Sequence, residues 1–588
     1  MNISGAVLYH YKIRQSFFIL AHHNFLKMRN LVLTLAAVLC VQLSFSQVKN
    51  IEYSAPFEEP EKGWYKIMQL SNGNTFFFNF NNEKGIEITV YKPDRKVGGK
   101  KVLSSSLWDP KNMKNSTIEG IYEIAGQPVI FLQQLNSRVP ELYRIQLNPD
   151  NGAIAKQQKL GELPKYGMMA GYAMAFGGVD QEDFIVEKDP YSDAYAVVHY
   201  NSFAKESDKR IELVHYAVEN GEHTEVNRAF YDAQDFKYTN YIGMVVNGDK
   251  QVHLAAYGYN TSGSGGKDSR VIISRIRKGE SAFTNLNLEF TDDFKETEGL
   301  MNYNPETGMI QMLTLTLIKG GKRMSMTSGK SVGTSYYMAL VSYIDPESLQ
   351  IIKKTLLPMD EVNNYVKSKN IDKEGFAGMP VDMILNNDNT ITILMEEKSE
   401  IISKSTTIDI PFGNIAVVTL DGTGKDIESY AIQKCQEGKS GQQMENMYLA
   451  KRGKGMWSYR KRAGMSMTAP LDNRAFYSFG YVNTSSNNKY IIFNDNRDNY
   501  ENGEPKRQKN NSVLCAASVS DAVTVFRKVN NSGMQSGYLF GRNANDDQTA
   551  FANVESAHFR KDTGVYAALM VKRMKREKKA YISWVTLD

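Results

Sequence analysis

Trp457, Tyr459, Arg460, Lys461 and Arg462 form the densest aromatic and basic cluster in this 588-residue sequence. Aromatic faces stack on sugar rings and attract cations, and guanidinium forks pair with anions, so such a cluster suits recognition of a ligand better than bond breaking. Its plainer reading is an exposed loop. Trp457, Tyr459, Arg460 and Arg462 are therefore candidate ligand contacts, together with Tyr259 and Lys322 in two other long loops.

Other chemistry-bearing patterns lack the context they need. Gly329-Lys330-Ser331-Val332-Gly333 fits G-x-S-x-G, but a nucleophile elbow needs a strand before the serine and a helix after it. Here Thr334 to Ile344 alternates as a strand, and His558 alone follows as a base, so a glycine-rich hairpin loop is expected. Ser262 to Lys267 and Gly329-Lys330-Ser331 resemble phosphate loops only superficially, because Asp268 follows the first lysine and Met324 stands where the second needs its leading glycine. His199 and His215 fall on strands that should pair within one sheet, with no HExxH or Cys/His cluster beside them, and read as ordinary sheet residues. Asn494, Asn496 and Asp498 have the alternate spacing of a calcium loop, but Asn499 replaces the glycine and Pro505 takes the twelfth position. Met324-Ser325-Met326 and Met465-Ser466-Met467 could offer thioethers to Cu(I), yet methionine is frequent throughout and fills irregular gaps. No metal site, no cofactor and no catalytic residue is assigned.

The elements that must position these loops are strands. Ile86, Ile88 and Val90 alternate with Glu87 and Thr89, and Leu313, Leu315 and Leu317 with Thr314 and Thr316, which is the period of a sheet packed on a greasy face. The first group reads Trp64 to Leu70, an Asn72-Gly73 turn, Asn74 to Phe80, a turn ending in Gly85, Ile86 to Tyr91, then Lys100 to Ser104: a four-strand meander. A second unit spans Gly120 to Leu160 and a third Phe184 to Tyr231; others begin near Tyr241, Gly299, Pro380 and Phe476, with a shorter set between Val554 and Leu587. A single short helix is expected from Asp360 to Val366. Repeated units of this kind imply an all-β chain, a seven- or eight-bladed β-propeller of four-stranded antiparallel blades, with two β-sandwich or barrel domains as the alternative. Because the last group shows only about three strands, Val48 to Tyr53 is expected to complete it and close the ring.

Residues 1–46 stand apart. Met28-Arg29-Asn30, the apolar run Leu31 to Leu43 and Ser44-Phe45-Ser46 have the order of a secretory signal, with Met28 as the true start and cleavage after Ser46. The run is too short for a transmembrane helix. The mature region, 47–588, is one propeller domain in this reading. Lys and Arg number 70 against 65 Asp and Glu; losing Lys12, Arg14, Lys27 and Arg29 leaves 66 against 65, a net of +1, which offers no global field for nucleic acid. Cys435 and Cys515 are too few for a disulfide scaffold, so burial must hold the fold.

No Trp-Asp, kelch or Asp-box repeat is present. Asp388-Asn389-Thr390-Ile391, Leu420-Asp421-Gly422 and Ile491-Ile492-Phe493-Asn494-Asp495 resemble the pattern of uncharacterised exported β-propeller proteins of Bacteroidota. The resemblance covers the second half best and rests on turn and strand residues, so it implies fold and export and no activity. In a meander blade the second-to-third connections and the links between blades share one face. The long connections Gly258 to Ser269, Lys319 to Ser335, Glu397 to Phe412 and Asn494 to Asn511, and the interblade segment Gln436 to Pro470, mark that face for function. The expectation is an exported envelope module binding a glycan, peptide or protein. A carbohydrate-active enzyme with channel carboxylates and a structural subunit of a surface complex are the alternatives. Oligomeric state is not legible.

Overall fold

The computed structural model describes residues 48–60, 64–81, 83–166, 184–201, 210–231, 236, 238–260, 269–288, 295–317, 337–369, 371, 375–398, 401–403, 406–434, 436–439, 479–497, 500, 522–530, 533–541, 548–574 and 577–587. These form eight antiparallel sheets arranged as the blades of a β-propeller. Blade 1 consists of Trp64–Gln69, Thr75–Asn81, Gly85–Tyr91 and Val97–Val102, counted from the innermost strand outward. Blades 2 to 7 begin with innermost strands Ser116–Ile124, Phe184–Lys188, Tyr238–Asn247, Lys295–Asn304, Met379–Leu385 and Phe479–Asn483. Blade 8 has Gln548–Arg560, Val565–Met574 and Glu577–Leu587, and Val48–Tyr53 is its fourth strand. Ring closure is as the sequence suggests: Ile51 pairs with Val585 and Tyr53 with Ser583. The two-sandwich alternative is excluded.

The strands are built by turn chemistry and period two. Gly73, at φ 84°, closes the first hairpin of blade 1, where Leu70 N–H donates to Asn74 O at 2.8 Å. Alternate residues of an inner strand face opposite seams. Phe76, Phe78 and Phe80 join Ile118, Ile130 and Tyr143 of blade 2, whereas Phe77 joins Leu569, Ile582 and Trp584 of blade 8. Among the described residues, a separate apolar cluster fills each of the eight seams. A helix, Asp360–Ser368, inserts Val362 and Val366 beneath the seam of blades 5 and 6.

Blade 6 departs from expectation. The supposed loop from Glu397 to Phe412 is largely strand: Thr406–Leu420 is continuous and carries Ile401–Ser403 and Gln436–Lys439 as extra partners beyond the regular blade. Backbone groups that a loop would give to water are paired with each other, which extends the sheet on the face where second-to-third connections emerge. Among the described residues no helix is long and apolar enough to cross a membrane.

Candidate functional site

A groove of about 1040 Å³ lies between blades 8 and 1. It opens on the face of the second-to-third connections and interblade links. One wall is the segment from Ala55 to Pro60, which leaves the closing strand. It stays attached to blade 8: Phe57 N–H donates to Ala580 O and Ala580 N–H to Phe57 O, both at 2.9 Å, and Tyr65 OH anchors Pro60 O at 2.6 Å. The Lys578 ammonium pairs with Glu59 across the mouth.

The other wall is one face of blade 1. Register places Asn79 opposite Glu87 and Phe77 opposite Thr89, and all four line the groove. Phe57 and Phe77 meet with ring centroids 6.0 Å apart and form an aromatic floor. Asn81 Oδ1 accepts from the backbone N–H groups of Glu83 and Lys84 at 2.8 and 3.1 Å, which fixes the tight turn that brings both charged side chains to the rim. Tyr91, whose hydroxyl burial pushes up to about 12, lies at the inner end against Trp584.

Asn79 is the polar group under most tension here. It is only 5 % exposed, its Nδ2 donates to Glu87 Oε2 at 2.8 Å, and its Oδ1 has no hydrogen-bond partner. Buried polar atoms are almost always satisfied, so an orphan acceptor in a groove wall marks a place where a donor is wanted. The charged lining is balanced, with Glu58, Glu59, Glu83 and Glu87 against Lys84, Lys100, Lys101 and Lys578.

Channel carboxylates, the requirement of the enzyme alternative, take a different form. Glu119 sits in a bulge of blade 2's innermost strand, where the register slips between Ile118 and Gly120. Its neighbour Tyr122 donates to Val186 O at 3.0 Å in blade 3, and Tyr241 of blade 4 donates to Glu187 Oε1 at 3.2 Å. Burial, and then the Glu187 and Glu119 carboxylates, hold the Tyr122 hydroxyl well above its ordinary range. Glu119 is 1 % and Glu187 8 % exposed, and Glu187 joins the inner strands of blades 3 and 4 through Tyr241. The sequence gives no signal for either acid, because the bulge and the seam are tertiary facts.

Of the sequence-derived contacts, Trp457, Tyr459, Arg460, Arg462 and Lys322 lie outside the described residues, as do Ser331, the two Met-x-Met pairs, Cys435 and Cys515. Tyr259 ends the second strand of blade 4, half-buried and stacked on Tyr257 at 5.4 Å, away from the groove. His199 and His215 are on paired strands of blade 3, bonded to Glu212 Oε2 at 2.8 Å and Gly248 O at 2.9 Å. Asn494 lies within a strand, its amide spanning Ala552 O at 2.8 Å and Thr524 Oγ1 at 2.7 Å, so it serves a seam and not a calcium loop. Among the described residues no group of three or more His, Cys, Asp or Glu is placed to hold a metal ion.

The class defined by this fold is the eight-bladed β-propeller. No family model matches the chain, and no curated protein matches it. Among solved structures it is similar to polysaccharide lyase Uly1, at 8% identity over 80% of this chain and 90% of that one, with a TM-score of 0.34. A quinohemoprotein alcohol dehydrogenase from Comamonas testosteroni matches at 8% identity over 76% and 73%, TM-score 0.34. Prolyl oligopeptidase B from Galerina marginata matches at 8% identity over 90% of this chain, which spans 56% of that protein, TM-score 0.38. Likenesses this distant transfer no chemistry.

Proposed function

We propose that the chain is an exported binding module of the bacterial cell envelope, with the groove between blades 8 and 1 as its ligand surface. The observation that carries this reading is a roomy groove with an aromatic floor and a charged rim, behind whose wall the acceptor Asn79 Oδ1 is left without a partner. Concave sites that combine apolar area with a few convergent polar groups are the usual form of a ligand pocket. The export part rests on Met28-Arg29-Asn30, the apolar run Leu31 to Leu43 and the small residues Ser44 and Ser46.

The test is a comparison of the full chain with Thr89→Trp, which places a large ring in the middle of the groove wall. Both are exposed to arrays of glycans, peptides and envelope proteins. A ligand held by the parent chain and released by the variant supports the groove as the binding surface. Ligands retained equally by both proteins would move the binding surface elsewhere. Intact mass of the secreted protein, starting at Gln47, checks the export part.

A further inference from the structure

The balance of the groove lining narrows its ligand to one chemical class, an inference that rests on the groove being the binding surface. We propose that the groove takes a stretch of neutral, hydroxyl-rich polysaccharide.

The charges set the first constraint. Four carboxylates and four ammonium groups share the lining, with Glu59 and Lys578 already paired to each other, so neither an anionic polymer nor a basic peptide finds a surface of uniformly opposite charge. A hydroxyl is both donor and acceptor; it donates to Glu87 or Glu58 and accepts from Lys84, Lys100 or Lys101 with no like-charge contact. The cations of the described lining are all lysines. The planar guanidinium fork that reads carboxylate and phosphate bidentately is absent from it.

Asn79 sets the second. Glu87 holds the amide by its Nδ2, so the Oδ1 can be matched only by a donor. The Oδ1 is closed off behind the wall, so a sugar hydroxyl supplies that donor only once the side chains over it part, and its own oxygen then stays available to a rim lysine. Phe57 and Phe77 set the third, because aromatic rings beside polar groups suit the alternating C–H and O–H faces of a pyranose. Volume sets the fourth. About 1040 Å³ is at the upper end for a drug-sized ligand, which fits several linked rings better than one.

The experiment is titration calorimetry of the full chain with neutral hexasaccharides of glucose, mannose, galactose and xylose. Polygalacturonate and a lysine-rich peptide are the charged comparisons. At least one neutral hexasaccharide is expected to bind, with an affinity that changes less than about twofold between 0.05 and 0.5 M salt, since hydrogen bonds to neutral groups are not screened. Thr89→Trp should weaken that binding by about tenfold or more, and Glu87→Gln, which retains the bond to Asn79 with less disturbance, by a smaller factor. Unchanged melting temperatures certify both variants as folded. Should Thr89→Trp fail to fold, Glu87→Gln decides. If no neutral hexasaccharide binds while polygalacturonate or the peptide binds and is lost in the variants, the neutral-polysaccharide assignment falls and the groove stands. If neutral saccharide binds equally to parent and variants, the groove itself falls.

Discussion

The second strand of blade 1, Thr75–Asn81, shows two different proteins on its two faces. Phe76, Phe78 and Phe80 stack on one another, with centroids 5.7 and 6.0 Å apart, and pack without solvent against blade 2. One residue along, Phe77, Asn79 and Asn81 face blade 8 and line an open groove. The same backbone, register and turns serve both faces, so the difference lies in what stands opposite. Blade 2 offers a full strand face. Toward blade 8 the outer part of the seam is spanned only by the segment from Ala55 to Pro60. A propeller seam is thus a core where two sheets meet squarely and a site where the closing link holds them apart.

The sharpest way to break this comparison is to remove the closing strand. Deleting Val48–Tyr53 strips the pairing along Ser583 to Leu587 and uncovers Trp584, which is held by Thr75 Oγ1 at 3.0 Å and covered by Arg95 at 4.8 Å. Of the changes considered, this one should lower the melting temperature most. Hydrogen exchange should rise first along Ala580 to Leu587 while the seam of blades 1 and 2 stays protected. Uniform exchange through all blades would mean that the ring has no weakest seam.

Next in size is Phe78→Ala. The ring is fully buried on the dry face, so the change leaves a cavity and should cost about 3–5 kcal/mol in denaturant unfolding. Ligand binding in the groove should survive under native conditions, since Phe78 faces the other way. Loss of both together would show that the faces are coupled.

Much of this architecture was legible in the sequence because it is local. Alternating apolar residues such as Ile86, Ile88 and Val90, the Asn72-Gly73 turn and the missing fourth strand of the last group lead directly to the blades and their closure. The site was not legible for the converse reason. Phe57, Phe77 and Glu87 come from neighbouring segments, but they line one groove with Lys578, which stands hundreds of residues further along, and only ring closure brings it to the others. Loop length pointed to blades 4 to 7, yet the groove lies where the second-to-third turn is short, since a tight turn at Asn81 leaves the wall uncovered. In blade 6 the alternation of Thr406, Ile408 and Ile410 was strand where a loop was expected.

The dry-seam rule extends to blades 4 and 5, where it predicts a pH response. His253 is 0 % exposed, its Nε2–H donates to Pro346 O at 2.9 Å, and its Nδ1 has no partner. Burial, with Arg275 nearby, lowers its pKa to about 4. The unfolded chain, with an ordinary histidine near 6.5, takes up the proton first on acidification. The stabilisation is therefore complete above about pH 6.5 and is lost as pH falls toward 4, about 2 kcal/mol by pH 5. His253→Gln should flatten that part of the curve, whatever it costs at neutral pH. An unchanged slope would place the titration elsewhere.

The smallest effect tests the contrast most directly, because it falls on the residue beside Phe78. Asn79→Leu keeps the volume, removes an acceptor that has no partner, and leaves Glu87 at a half-exposed position where water can replace the lost donor. Replacing an unsatisfied buried polar group by an apolar one of similar shape is close to neutral, so the expected change is within about 1 kcal/mol by chemical denaturation. Binding in the groove should fall at the same time, since the donor-seeking oxygen is gone. Neighbouring residues would then differ severalfold in their contribution to stability and in the opposite sense in their contribution to recognition. A stability loss approaching that of Phe78→Ala would mean that Asn79 is a structural member of the seam, and the groove-facing side of blade 1 would have to be redrawn as a second core.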